Sequence, residues 1–555
     1  MGEKSDALGV WVGLTVVLGF SYVLHIFVPL QSLIVKALLV SVLACAVGFN
    51  IRQVWRNKAR FAFDARTTAR IAPLALAGMV VFLVIARAVF ADVSNYDSYL
   101  YHLQAIEYMS SERVVVGLAN LHTRFGWHSS IFNVASLFEN GTWQSDGFRL
   151  ANGFIMTLAI IEWTRRFLRL ITGPLAPGSI PILLGVPVLI SIGLANPSYF
   201  VSSPNPDLCA SLIAVVAFGY LIDFLFEPTK VHAAGSLVLC GLAMTFRPIN
   251  SLLLASAAVL VVAFRRRGDL PVGAKTTFWL ASPALLLVAA FSAHSTIVSG
   301  YPILPTPVPV SPFPWAVPPA LIKNDLRWIE SWAKKPGSSP DEVLGNWSWF
   351  SGWWTRTGGS YSVFFAVFTL SFAMLVLASR MGWVRVTKRS GIAVVIALVP
   401  VAVWFTAAPE PRLGFGQLAA ASITPLFFIR LNEHADGSVP EPVVRWLIGG
   451  AALLAASLTM GATLSQASVF GPLDAAKVPI VIMPLSELKD VNGTTILTPS
   501  PTGDQCGRVK WCTPYLIPGL RIDHRLGWIV VDRTDPSTGE PSWSPARHLR
   551  EGGAR

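Results

Sequence analysis

Charge is scarce in this chain. Only 13% of its 555 residues are Asp, Glu, Lys or Arg, where a soluble globular domain carries roughly a quarter. Apolar runs recur from residue 8 to about residue 464, each close to the roughly 20 residues that cross a bilayer core. An ordinary soluble domain is excluded on those grounds. A glycine-rich phosphate loop is missing from the short basic loops, which argues against an ATP-driven pump. Charge deep inside the spans is also sparse. Lys36, Arg87 and Asp223 lie near span ends, and the two halves show no internal repeat, so the usual marks of a transporter are wanting. Cysteine is rare, with five in all. Cys45, Cys209 and Cys240 fall in apolar runs and read as small core residues.

What is present is a long series of apolar segments. They predict an all-α polytopic membrane protein of about thirteen spans, near 8–28, 31–50, 71–91, 148–163, 179–195, 207–226, 231–246, 250–264, 275–298, 360–379, 391–407, 414–430 and 446–464. The first is not a cleaved signal peptide, because a second span follows at once and no small-residue cleavage site ends it. Basic residues fall after alternate spans: Arg52 to Arg70, Arg165 to Arg169, Lys230, Arg265 to Arg267, Arg380 to Arg389, then Arg430 and Arg445. Their common side is expected to be cytoplasmic, with the amino terminus there and the carboxy terminus outside a bacterial inner membrane. The net charge of +12 is then mostly a topology signal, and no nucleic-acid partner is expected.

This topology divides the chain into a membrane domain, 1–464, with long outer loops at 92–147 and 299–359, and a small mixed α/β extracytoplasmic module, 465–555. Val478–Met483 and Gly527–Val531 read as strands, and the residues from about 534 read as loosely ordered. Cys506 and Cys512 lie in this module. A disulfide suits an oxidising compartment, and it would pin a local turn. A reactive or metal pair is the alternative, although no partner ligands cluster with them in sequence.

Candidate chemistry concentrates in the outer segments. In Asn95-Tyr-Asp-Ser-Tyr-Leu-Tyr-His102, Ser94 or Asn95 is a fitting N-cap and Asp97 sits in the first helical turn, with Tyr101 and His102 one turn on. Tyr96, Tyr99 and Tyr101 are expected to raise the Asp97 pKa toward that of a general base; the other reading is that Asp97 merely favours the helix N-terminus. His122 and Arg124 follow, beside Trp127 and His128, a density of donors that suits a sugar or phosphate. The spacing of His122 and His128 does not match a zinc pattern, so no metal site is assigned. Arg247, at a hairpin tip, and Arg412, in Ala408-Pro-Glu-Pro-Arg412, run against the positive-inside bias. Each is a candidate for a phosphate; a Glu410 ion pair or contact with lipid headgroups is the other reading for Arg412. Loop 299–359 is proline-dense to Pro319 and then tryptophan-rich, and its tryptophans suit interfacial anchoring or sugar stacking. The loop is expected to work together with the turn 408–413.

An acidic residue on an interfacial helix of the first long outer loop, many spans, a second long loop and an outer carboxy-terminal module resemble the architecture of the type C glycosyltransferases. The strings quoted above, with Gly117-Leu-Ala-Asn-Leu-His-Thr-Arg-Phe-Gly126, Ser299-Gly-Tyr-Pro-Ile-Leu-Pro305 and Gly503-Asp-Gln-Cys506, also resemble a bacterial family of uncharacterised multi-spanning proteins along nearly the whole chain. Asp97 alone maps onto the catalytic acid of the type C enzymes, and a paired acidic motif is absent. The resemblance implies transfer of a sugar from a polyprenyl-phosphate carrier to a lipid, glycan or protein acceptor. Asp97 would be the base, Arg412 and Arg247 would hold the departing phosphate, and His102, His122 and Arg124 would line the pocket. A glycan polymerase or ligase, and a non-catalytic transporter or flippase of lipid-linked saccharide, stay open as alternatives. No cofactor is assigned beyond the lipid-linked sugar substrate, and neither a divalent metal nor an oligomeric state is specified.

Overall fold

Uninterrupted apolar sequence gives helix here, because backbone groups shielded from water must bond within their own segment. The computed structural model describes residues 6–42, 44, 78–139, 143, 145–172, 175–305, 313–429, 449–450, 485–491, 493–499, 504–514, 519–525 and 527–533. Its helices are α1 (Asp6–Phe27), α2 (Leu33–Val42) and α3 (Gly78–Ala88). They continue with α4 (Leu103–Ser111), α5 (Ser130–Phe138), α6 (Leu150–Thr172), α7 (Ser179–Ala195), α8 (Pro197–Phe200), α9 (Asp207–Phe226), α10 (Lys230–Phe246) and α11 (Ser251–Arg267). After these come α12 (Ala274–Ser299), α13 (Pro319–Lys334), α14 (Pro340–Val343), α15 (Trp349–Arg380), α16 (Lys388–Ala407) and α17 (Pro411–Ser422).

Among the described residues, six helices are long and apolar enough to cross a membrane: Leu8–Phe27, Asp207–Phe226, Pro248–Arg267, Ala274–Ser299, Trp349–Arg380 and Lys388–Ala407. The other predicted spans that are described are helical too, but shorter or more charged. The 23-residue α6 carries Glu162, Arg165, Arg166 and Arg169, while α7 and α10 have 17 residues each. Helix α17 stops after 12 residues, just before Pro425, and a 3-10 turn follows at Thr424–Phe428. Residues 51–70 lie outside the described residues, and the predicted spans 31–50, 71–91 and 446–464 are only partly within them. Helix α15 begins at Trp349, well before the predicted 360, because the tryptophan run packs against Trp404 and Phe405 of α16 and continues the helix.

Helix α9 is the buried centre. It packs against α10, α7, α17, α6 and α11, while α12 lies between α1 and α10. Val259, Phe278, Trp279, Phe365, Phe372 and Val395 remain exposed around the outside, a pattern that fits a lipid boundary. His25 Nδ1 and His294 Nε2, 2.7 Å apart, tie α1 to α12.

The carboxy-terminal part contains two antiparallel hairpins, β1 (Leu485–Val491) with β2 (Thr494–Pro499) and β3 (Leu520–Arg525) with β4 (Trp528–Arg533). The strand expected at Gly527–Val531 is β4; the one expected at Val478–Met483, and the tail from 534, lie outside the described residues. Strand β4 docks on the first long loop. Val116 N donates to Ile529 O at 3.0 Å, and Val531 N donates to Val116 O at 2.8 Å. Gly117 makes this approach possible: its φ is +70°, and a Cβ there would sit 2.1 Å from the Val531 carbonyl oxygen.

Candidate functional site

Helical backbone begins at Tyr96, and Ser98–His102 forms a π-turn before α4. Such a turn winds more widely than an α-helix and recurs at functional sites. It keeps Asp97, Tyr101 and His102 on neighbouring faces. The Asn95 side chain makes no cap: neither its Oδ1 nor its Nδ2 has a hydrogen-bond partner among the described residues.

Three other segments are linked to Asp97 through a chain of ion pairs. Asp207 opens α9, its backbone N held by Asn205 Oδ1 at 3.0 Å. Arg247 closes α10 in extended backbone, as the following Pro248 requires. Arg412 lies in the first turn of α17, behind Pro411. Arg412 Nη1 donates to Asp97 Oδ2 and to Asp207 Oδ2, both at 3.2 Å. Arg247 Nη2 donates to the other oxygen of Asp207, Oδ1. The order is therefore Asp97, Arg412, Asp207, Arg247, with Asp207 buried and Asp97 half-buried. Arg247 Nη1 is buried and has no acceptor among the described residues. Two helix N-termini, of α9 and α17, add partial positive charge at the same place.

The surrounding sequence fixes this geometry. Gly416 lets α17 approach α9 closely, since a Cβ there would lie 2.9 Å from Ser211 Cα. Gln417 Nε2 donates to Asn250 Oδ1 at 3.0 Å, joining α17 to the hairpin of Arg247. The turn before Arg412 is held by the aromatic segment: Trp353 Nε1 donates to Pro409 O at 2.7 Å, and Trp404 Nε1 to Glu410 O at 2.9 Å. Loop 299–359 and the turn 408–413 are thus in contact. Glu410 pairs with Arg356 at 3.0 Å, leaving Arg412 to the two aspartates.

The electrostatics correct one expectation. Burial pushes the Asp97 carboxyl upward, but Arg412, His102 and Arg124 together outweigh it, so its pKa lies below the ordinary value and not above it. Burial lowers His102 to about 4, against the pull of Asp97 and Asp207. Burial lowers His122 to about 3, with Arg124 adding to the effect. Both rings are neutral at pH 7. His122 Nδ1 accepts from Arg124 N at 3.1 Å and caps the turn Thr123–Gly126, while its ring stacks on Tyr101. Arg124 lies over the Trp127 ring at 5.4 Å and acts on Asp97 through its charge.

Of the residues expected at the site, Asp97, His102, Arg247 and Arg412 come together, and His122 and Arg124 stand behind Tyr101. Asp207 was not foreseen. Its signal is a carboxylate in Asn205-Pro206-Asp207, at the mouth of an otherwise apolar 20-residue helix.

Cys506 and Cys512 form a disulfide. Its loop does more than pin a local turn, because it grips the segment that carries Asp97. Gln505 Nε2 donates to Tyr96 O at 3.0 Å, Gly507 N to Tyr99 O at 2.8 Å, and Gln104 Nε2 to Val509 O at 2.7 Å. Arg508 Nη2 bonds Glu107 Oε2 at 2.6 Å, and Arg508 Nη1 bonds Glu139 Oε1 at 3.1 Å. Among the described residues no group of three or more His, Cys, Asp or Glu is disposed to hold a metal ion.

Residues 3–419 match the family described as Domain of unknown function (DUF8201), and the chain belongs to that family. No curated protein and no solved structure matches it.

Proposed function

We propose that the chain is a membrane glycosyltransferase of type C architecture. It transfers a sugar from a polyprenyl-phosphate carrier to a lipid, glycan or protein acceptor at the outer face of a bacterial inner membrane. The thirteen-span topology with a cytoplasmic amino terminus is part of this reading, since it puts the segments of Asp97, Asp207, Arg247 and Arg412 on one outer side. The observation that carries the proposal is the four-residue chain of alternating charges, in which one arginine nitrogen serves two carboxylates. Arginine binds phosphate oxygens strongly and in bidentate fashion. Arg247 Nη1 is a buried donor with no acceptor among the described residues.

A donor phosphate that bonds Arg412 competes with Asp97 for Nη1. Asp97 is then released from its ion pair and its carboxylate becomes more basic. It takes the proton of the acceptor hydroxyl while that oxygen bonds the anomeric carbon. The bond from the anomeric carbon to the phosphate oxygen breaks, its electron pair goes to the phosphate, and Arg412 and Arg247 hold the resulting charge. The test is transfer in lipid nanodiscs from a radiolabelled polyprenyl-phosphate sugar to cell-envelope acceptors. Release of polyprenyl phosphate that depends on Asp97 and Arg412 supports the proposal. Binding of the donor with no transfer to any envelope fraction would favour a flippase.

A further inference from the structure

Next to the charged chain lies a second set of polar groups that the mechanism above does not use. The Asn95 and Ser98 side chains are fully buried and His102 is 1% exposed. Among the described residues, Asn95 Oδ1 and Nδ2, Ser98 Oγ and both ring nitrogens of His102 have no hydrogen-bond partner. Burying an unsatisfied polar group costs about 1–3 kcal/mol, and native proteins keep few of them. Here three residues within eight carry them. Ser98 and His102 are four apart in the π-turn and share a face, and Asn95 accepts the backbone N–H of Ser98 through its carbonyl at 3.0 Å. Asp97, Asp207, Arg412 and Arg247 all act electrostatically on the His102 ring, so the set adjoins the ion-pair chain.

The donor and acceptor pattern identifies the ligand class. A phosphate presents only acceptors at neutral pH and is served by arginines. Asn95, Ser98 and a neutral histidine each offer both a donor and an acceptor. That mixture complements hydroxyl groups, which themselves give and take a hydrogen bond. We infer that Asn95, Ser98 and His102 form the subsite for a neutral polyhydroxyl group, a sugar ring, beside the arginines that would take its phosphate. The inference rests on the glycosyltransferase reading only for the statement that sugar and phosphate belong to one donor. The same chemistry would also receive a sugar from the acceptor side.

The variants to test are Ser98→Ala, Asn95→Leu and His102→Phe, in full-length protein in nanodiscs. The probes are undecaprenyl phosphate, undecaprenyl-phosphate-linked hexoses, and a panel of soluble methyl hexosides and pentosides. The expected result is that a lipid-linked sugar binds the native protein more tightly than the bare lipid. Each variant should lose roughly tenfold or more of that advantage and leave bare-lipid affinity unchanged. Thermal stability should be unchanged or higher, because an apolar replacement removes an unpaired buried group. A purely structural role predicts lower stability instead. If the bare lipid binds and the sugar adds nothing, or if the variants weaken both lipids alike, the subsite is overturned while the phosphate site stands. If neither lipid binds but a methyl glycoside does, in a way the variants abolish, the subsite stands and the donor reading falls. If no probe binds, both fall.

Discussion

Arg412 and Asp97 are 315 residues apart in sequence, yet Arg412 Nη1 lies 3.2 Å from Asp97 Oδ2. The same nitrogen is 3.2 Å from Asp207, so Asp97 can leave Arg412 without stranding its charge. That redundancy separates a carboxylate free to act, Asp97, from one that holds the site, Asp207.

Asp97→Asn is expected to insert and fold normally, because Arg412 keeps Asp207. Sugar transfer should fall by about 10²–10⁴-fold, the usual cost of losing a general base. Asp92 is exposed, and Glu107 is engaged with Arg508, so neither is part of the ion-pair chain. Asp92→Asn should be silent. Initial transfer rates for the variants decide this: full activity in Asp97→Asn, or loss in Asp92→Asn, refutes the assignment.

Arg412→Gln should raise the Asp97 pKa. Burial, the largest influence, pushes it upward, and the Arg412 charge is the largest of the opposing ones. A carboxyl whose pKa is depressed by folding stabilises the folded state above its unfolded pKa, and that stability is lost as pH falls through the lower folded pKa. Native protein should therefore lose this contribution only below the ordinary carboxylate range, and Arg412→Gln should abolish it. The protonated-carboxyl band that disappears in Asp97→Asn, followed by infrared spectroscopy against pH, reads the shift. An unchanged midpoint in Arg412→Gln would refute the coupling.

Much of the helical architecture is legible in the sequence because apolar length decides it: the helices at 179–195 and 207–226 have the bounds that the apolar runs predict. Helix α15 was cut short because a tryptophan run looks the same whether it anchors an interface or packs on another helix. Asp97, Arg247 and Arg412 stand out in the sequence as charges at outer helix ends, which is reason to expect them around one cavity. The direct ion pair between Asp97 and Arg412 is not legible there, since Gly416 and Gln417 bring α17 beside α9 and the Arg247 hairpin only in three dimensions. The rise expected for the Asp97 pKa fails for the same reason. The tyrosines next to it in sequence are visible, and an arginine 3.2 Å from its carboxylate is not.

Asp207→Asn should damage structure before chemistry. Asp207 is 2% exposed and is the common partner of Arg247 and Arg412. Removing one member of a buried pair costs about 3–5 kcal/mol. The variant should melt at lower temperature than Asp97→Asn in the same detergent. Equal melting temperatures would contradict the separate roles.

The proposed orientation has its own test. Asn346 is exposed in the loop after α14, and Arg266 is exposed at the end of α11. Asn346→Cys should react with an impermeant thiol reagent on intact cells, and Arg266→Cys only after the membrane is opened. The reverse pattern would invert the topology and with it the proposed face of action.

The last prediction concerns the disulfide loop. If Cys506–Cys512 merely closed a surface turn, its loss would be felt only locally. The bonds from Gln505 and Gly507 to the carbonyls of Tyr96 and Tyr99 instead attach that loop to the turn bearing Asp97 and His102. Gln104 and Glu107 extend the attachment along α4. Opening the ring widens the range of conformations the loop samples, so fewer of these bonds are held at once. The Cys506→Ser, Cys512→Ser double variant should therefore show faster amide exchange across residues 96–111 by mass spectrometry. Helices α9 and α10, which pack on each other in the buried centre, should keep their protection. Affinity for a polyprenyl-phosphate sugar should fall as well, although no bond to the ligand has been removed. Reductant should reproduce both effects in the native protein and add nothing to the double variant. Unchanged exchange at residues 96–111 in the double variant would mean that the loop stays docked without its disulfide, and that the site does not depend on it.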